Sequence, residues 1–329
     1  MAFEPIAIVG QACVLPGALT PEALWTLVLE GRSSISAVPA GRWRISSEAM
    51  LAGPGQDRRD RTISDRGGYV HGFELDASSF PGLAAEQLDP LFTWLFHCGQ
   101  QALSEAGGAF SKSDTGAIVG NLSYPSSSLS RFAEHAWLSP QVDPELFAIH
   151  PVDPRNRFMS GLPAHLLAST LGLGAGAFAL DAACASSLYA IKFACDALHD
   201  RRAELMLAGA VNRADDLFIH ADFTALGALS PTGRSRPFHA EADGLVPAEG
   251  AAFVALCRLA DAEKKGLRVL GVIRGAGLSN DGRGRGFLVP SEAGQLRALQ
   301  AAYEVSGVDP ADISLVECHA TGTAVGDAV

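Results

Sequence analysis

The chain has 329 residues, 48% of them hydrophobic, which is enough for one large domain or two ordinary ones with a sizeable core. Its net charge of -11 excludes the basic stripe that nucleic-acid binding requires. Asp181 and Lys192 interrupt the best apolar run, so no stretch reaches membrane-spanning length.

The opening MAFEPIAIVG has neither the basic segment nor the small-residue cleavage site of a secretory signal. The six cysteines are Cys13, Cys98, Cys184, Cys195, Cys257 and Cys318. None forms a C-x-x-C pair, which argues against a zinc site. Scattered in apolar contexts, they suit reduced thiols in a cytoplasmic protein.

In chain order, residues 6–9 read as a buried strand. Residues 21–30 read as a helix with Thr20 as N-cap and Pro21 at its first position. Residues 31–70, rich in Arg, Gly and Ser, read as surface loop. Residues 90–106 are helical and end at Gly107-Gly108. A strand follows at 117–120, then a helix at 156–171 that stops near Gly172. The GLGAG stretch at 172–176 lacks the dinucleotide-binding spacing and precedes a strand, so it is read as a helix C-cap and turn. The GRGRG stretch at 282–286 is read as a flexible loop near the active site.

The central unit is strand 178–180, helix 184–201 and strand 205–210. This βαβ pattern implies parallel strands buried on both faces. After it come a helix at 217–226, a long polar loop at 229–249, strands at 251–256 and 269–273, a helix at 295–305 and a strand at 313–316. Alternation of this kind specifies a layered α/β protein. Asp327 reads as the N-cap of a helix that does not follow, which suggests a sequence cut short.

Cys184 stands out because it opens helix 184–201. Apolar Leu188, Ile191, Ala194, Cys195 and Leu198 follow at helical spacing. A thiol in a first turn faces unpaired N–H groups and the positive end of the helix dipole, and both favour the thiolate. The same N–H groups can hold the oxyanion of an attacked carbonyl. A cysteine in an apolar stretch is ordinarily a small, inert core residue, and the other five, Cys318 included, keep that reading. The imidazole partner that a nucleophilic cysteine needs is best supplied by His319, just after strand 313–316. Thr321 and Thr323 flank Gly322 beside it and offer hydroxyls to a polar, amide-bearing substrate arm. His97, His165, His199 and His239 read as surface or satisfied core residues.

These segments resemble the β-ketoacyl synthase (ketosynthase) domain of polyketide and polyunsaturated fatty acid synthases. PIAIVGQACVLPGA is similar to the family's start, and DAACASSLYAIKFACDAL to its nucleophile motif, with Ala183 and Ala185 where Thr and Ser are usual. LMLAGAVN, LSPTGRSRPFHAEADGLVPAEGAAFVAL and ECHATGTAVGD resemble the following strand, the central loop and the first histidine motif. The resemblance runs from residue 5 to residue 327 and implies a thiolase-like α-β-α-β-α fold. Residues 1–250 would form the complete first half, with the nucleophile, and residues 251–329 the incomplete start of the second.

It further implies decarboxylative Claisen condensation of an acyl-Cys184 enzyme with malonyl-carrier protein, giving a 3-ketoacyl thioester. In that scheme His319 acts on the malonyl carbonyl, and Thr321 and Thr323 bind the phosphopantetheine arm. That arm is delivered by acyl-carrier protein, and neither a metal nor a bound cofactor is required. The implied partners are acyl-carrier protein, a second copy paired along the strand before Cys184, and other domains of a larger synthase. The family's lysine and second histidine would lie beyond Val329, so the fragment alone is expected to be inactive. The alternative is a non-elongating acyl-holding ketosynthase or a chain-length-factor-like partner. Chain-length factors typically lack the cysteine that stands here.

Overall fold

The computed structural model describes residues 3–43, 45–80, 84, 87–138, 140–141, 143, 153–157, 160–214, 216–283 and 289–329. Residues 284–286 of the GRGRG stretch lie outside it. The strands are β1 (Ile6–Val14), β2 (Ile35–Ala37), β3 (Arg66–Gly68), β4 (Thr115–Asn121), β5 (Ala177–Leu180), β6 (Leu205–Asn212), β7 (Gly250–Arg258) and β8 (Gly271–Ile273). The helices are α1 (Pro21–Leu29), α2 (Ser47–Met50), α3 (Pro90–Glu105), α4 (Ser127–Leu138), α5 (Leu162–Leu171), α6 (Ser186–His199), α7 (Asp216–Ala225), α8 (Leu259–Lys265) and α9 (Glu292–Ser306).

Local signals act as the sequence predicts. The Thr20 hydroxyl accepts the Ala23 N–H, and Pro21 opens α1. Gly172 ends α5 in the left-handed region at φ 72°, the conformation a glycine C-cap supplies without a Cβ clash. Residues 31–70 are not all loop, because β2 and β3 pair there as a short antiparallel ribbon.

Six strands form one mixed sheet in the order β5-β4-β6-β7-β1-β8. β4 runs parallel to both β5 and β6, whereas the β6–β7, β7–β1 and β1–β8 pairs are antiparallel. The predicted βαβ unit is therefore split, with β4 between its two strands. Every residue of β4 is buried, as suits a central strand. β5 is an edge strand and only half-buried, with Phe178 44% exposed. The boundary expected at residue 250 falls at the first residue of β7, a strand in the middle of this sheet.

Side chains alternate across the sheet and divide the core in two. Ala117, Val119, Leu205 and Leu207 face α3 and α5. Ile118, Met206 and Ala208 face the Ala190, Ala194, Cys195 and Leu198 stripe of α6. The far end of α6 is tied down by Arg258, whose Nη1 donates to the carbonyls of Leu198 (2.8 Å) and Ala203 (3.1 Å). A buried guanidinium thus satisfies backbone groups that a helix end leaves unpaired.

Residues 313–316 do not form the expected strand. Their backbone is extended but joins no ladder, and Leu315 and Val316 are 81% and 67% exposed. An apolar run becomes a strand only where a neighbour receives its hydrogen bonds, and among the described residues none lies beside it.

α3 crosses β1 at Gly10, where an added Cβ would stand 2.1 Å from the Ala102 carbonyl oxygen. Gly10→Ala is expected to force helix and strand apart and cost about 1–3 kcal/mol, read as a lower urea midpoint.

Candidate active site

β4 and β5 run parallel, so the loops that leave them emerge at the same edge of the sheet. Asp181, the first residue after β5, joins those two loops. Its Oδ2 accepts the Ser123 N–H at 2.8 Å and its Oδ1 accepts the Ala183 N–H at 2.9 Å. Burial pushes the Asp181 carboxyl up, but these two N–H groups and the Ser123 hydroxyl outweigh it and hold the carboxyl below its ordinary value.

Between β5 and α6 the chain makes a single 3-10 turn, Ala183–Ala185, and Cys184 sits at its centre. The α-helix therefore starts at Ser186, two residues after the start expected at Cys184, and the thiol lies in the turn ahead of it. Ala183 holds φ 49°, in the left-handed region that costs an L-residue about 1–2 kcal/mol. Ser186 braces the turn: its Oγ accepts the Ala182 N–H at 2.9 Å and donates to the Ala183 carbonyl at 2.7 Å. Gly120 makes room, since an added Cβ would lie 2.9 Å from the Ser186 backbone. Cys184 stands exposed on this turn.

Of the other cysteines, Cys13, Cys98, Cys195 and Cys257 are buried as predicted. Burial raises Cys13 and Cys257 to about 11 and Cys195 to about 12, and pushes Cys98 higher still. Cys318 departs from the core reading and is exposed, because the extended segment 313–316 has no sheet to cover it.

His319 is exposed, and no hydrogen bond joins it to Cys184. The loop that follows it is well defined. The Thr321 and Thr323 hydroxyls are 3.0 Å apart. Gly322 turns at φ 76° with its carbonyl on the Gly244 N–H at 3.0 Å. Asp327 caps no helix. Its carboxylate instead accepts the N–H of Phe238 at 2.7 Å and of Gly322 at 3.1 Å, which fastens this loop to the polar loop before β7.

Behind the site lies a buried charge cluster that sequence reading did not find. Arg42 bonds to Asp216 at 2.5 Å and to Glu249, and Arg213 sits 3.3 Å from Glu249. Glu249 also accepts the Val70 N–H at 2.8 Å. These contacts hold the start of α7 against β7. Sequence reading also missed Tyr124, whose hydroxyl donates to Asp222 of α7 at 3.4 Å.

Compared with known proteins, residues 3–262 match the family model "Beta-ketoacyl synthase, N-terminal domain", and residues 270–329 match "Beta-ketoacyl synthase, C-terminal domain". The chain belongs to the β-ketoacyl synthase family. Among curated relatives, one component of the phenolphthiocerol/phthiocerol polyketide synthase of Mycobacterium tuberculosis is 36% identical over 99% of this chain. The PKS-NRPS hybrid synthetase ATPKS of Aspergillus niger is 33% identical over the same share. The chain spans 17% of the length of each.

Two solved structures place the fold among thiolase-like ketosynthases. The PfaC keto synthase-chain length factor superposes with a TM-score of 0.91 at 36% identity, covering 98% of this chain and 37% of its own. The oxazolomycin ketosynthase domain OzmH KS7 of Streptomyces albus JA3453 gives 0.81 at 30%, covering 98% and 56%. Among the described residues, no helix is long and apolar enough to cross a membrane.

Brief treatment with iodoacetamide at mild alkaline pH is expected to alkylate Cys184 and Cys318 and spare the other four thiols, read by peptide mass mapping. A second expectation concerns acid. The folded Asp181 carboxyl lies below its unfolded value, so its contribution is complete above the unfolded value and is lost as pH falls through the folded one. Between about pH 5 and about pH 3, the urea midpoint of the wild type should therefore fall more steeply than that of Asp181→Asn.

Proposed function

We propose that Cys184 is the nucleophile of a condensing ketosynthase and that His319 stabilises the enolate formed from its second substrate. The observation that carries this reading is the position of Cys184 in a β-ketoacyl synthase chain. It stands exposed on a braced, left-handed turn between a parallel strand and the helix that follows.

In the first half-reaction the Cys184 thiolate attacks the carbonyl carbon of an acyl thioester carried on acyl-carrier protein. The new S–C bond forms, the bond to the phosphopantetheine sulfur breaks, and the carrier leaves as a thiolate that takes up the proton Cys184 released on ionising. Backbone N–H groups of the turn support the oxyanion. In the second half-reaction a malonyl thioester loses carbon dioxide. The electron pair of the broken C–C bond becomes an enolate, whose oxygen accepts a hydrogen bond from His319 Nε2–H. The enolate carbon attacks the acyl-Cys184 carbonyl and expels the Cys184 thiolate. The product is a 3-ketoacyl thioester longer by one two-carbon unit.

Thr321 and Thr323, 3.0 Å apart, suit the amides and hydroxyl of the phosphopantetheine arm, which is part of the substrate. No metal or resident cofactor enters this scheme. The half-buried edge of β5, with Phe178 outward, supports pairing with a second copy in a larger cytoplasmic synthase.

In the intact synthase, an acyl-carrier thioester should add its acyl mass to Cys184, and Cys184→Ala should abolish the addition. His319→Ala should slow malonyl decarboxylation by about 100-fold or more while acyl loading falls far less. Acyl mass on Cys318 with Cys184 unmodified, or equal loss of both half-reactions in His319→Ala, would overturn the assignment.

A further inference from the structure

The Asp181 carboxylate does more than brace the thiol turn. The residue after each of its two backbone donors, Ser123 and Ala183, is Tyr124 in one loop and Cys184 in the other. The clamp therefore joins the loop that carries Tyr124 to the turn that carries Cys184. Electrostatics agree: burial raises the Tyr124 phenol, and Asp222, Asp181 and Cys184 raise it further.

The Tyr124 hydroxyl reaches Asp222 on α7 at 3.4 Å, and its ring centroid lies 5.6 Å from that of Phe218, one turn earlier on the same helix. The two residues are 36% and 44% exposed, so they form an open aromatic shelf between the Tyr124 loop and α7. A separation of 3.4 Å is long for an O–H···O bond. Among the described residues no other hydrogen bond or ion pair reaches the Asp222 carboxylate, so it has acceptor capacity to spare.

The cleft behind Tyr124 is polar as well. It is lined by Asn121, Asn212 and Arg213 along with Leu91 and Leu122. Arg213 is buried and ion-paired, its Nε 3.3 Å from Glu249 and its Nη1 3.8 Å from Asp216.

We infer that Tyr124 and Asp222 form a specificity bracket beside Cys184 that selects acyl groups bearing a hydroxyl close to the thioester. The substrate class is 3-hydroxyacyl. The hydroxyl donates to the Asp222 carboxylate and accepts from the Tyr124 phenol, while the chain beyond it runs along the Tyr124–Phe218 shelf. Acyl groups with a carboxylate at the same position are repelled by Asp222. The inference rests on Cys184 being the acyl acceptor.

The test is a competition between 3-hydroxyoctanoyl and octanoyl pantetheine thioesters at equal concentration. The readout is the ratio of the two acyl masses on Cys184 in the intact protein. Wild type is expected to favour the hydroxyacyl group by about tenfold or more, the worth of a hydrogen bond to a charged acceptor. Asp222→Ala should bring the ratio to about one, and Tyr124→Phe should lower it by about half or more. A wild-type ratio of one, or a preference that survives Asp222→Ala, overturns this inference and leaves the nucleophile assignment standing. Failure of both thioesters to acylate Cys184 removes the assignment, and this inference with it.

Discussion

Two short hydrogen bonds to the Asp181 carboxylate connect the loops from which the site is built. β4 and β5 are parallel neighbours, and nothing in the sheet itself dictates how the chains leaving them should lie. The carboxylate takes one N–H from each exit. That contact offsets the unfavourable backbone of Ala183 and fixes Cys184 at the tip of the turn rather than inside the first turn of α6. Ser186 adds a second brace within the turn itself. An exposed thiol, a left-handed alanine and an acidic clamp make a consistent set, because each would be unfavourable without the others.

The scaffold holds this arrangement from behind. Strand alternation divides the core, with α3 and α5 on one face of the sheet and α6 on the other. Arg258 anchors the far end of α6 through the Leu198 and Ala203 carbonyls. Arg42, Arg213, Asp216 and Glu249 do the same for α7 and β7. A buried ion cluster offers little net stability over apolar packing. Here each charge also reaches a different segment of chain, so its contribution is to register more than to free energy.

Much of the fold was legible because it is written locally. The Thr20 cap, Pro21, the Gly172 stop and the apolar stripe of α6 each act within a few residues. Strand order was not legible. β4 slips between β5 and β6 because it is buried along its whole length, and pairing of that kind leaves no mark at any single position. Residues 313–316 have the composition of a strand but no partner, so they stay unpaired, and Cys318 and His319 stay exposed with them. The thiol at a helix entrance could be read from spacing. The Tyr124–Asp222 contact spans 98 positions and the Arg42–Glu249 contact 207, and no local pattern reports either.

A crystal structure of the protein after exposure to an acyl thioester tests the central claim most directly. The account predicts continuous density from Cys184 Sγ into the acyl carbonyl, with the Ser123 and Ala183 amides still directed at the Asp181 carboxylate. Density on Cys318 in its place, or an acylated Cys184 whose turn has left Asp181, would contradict it.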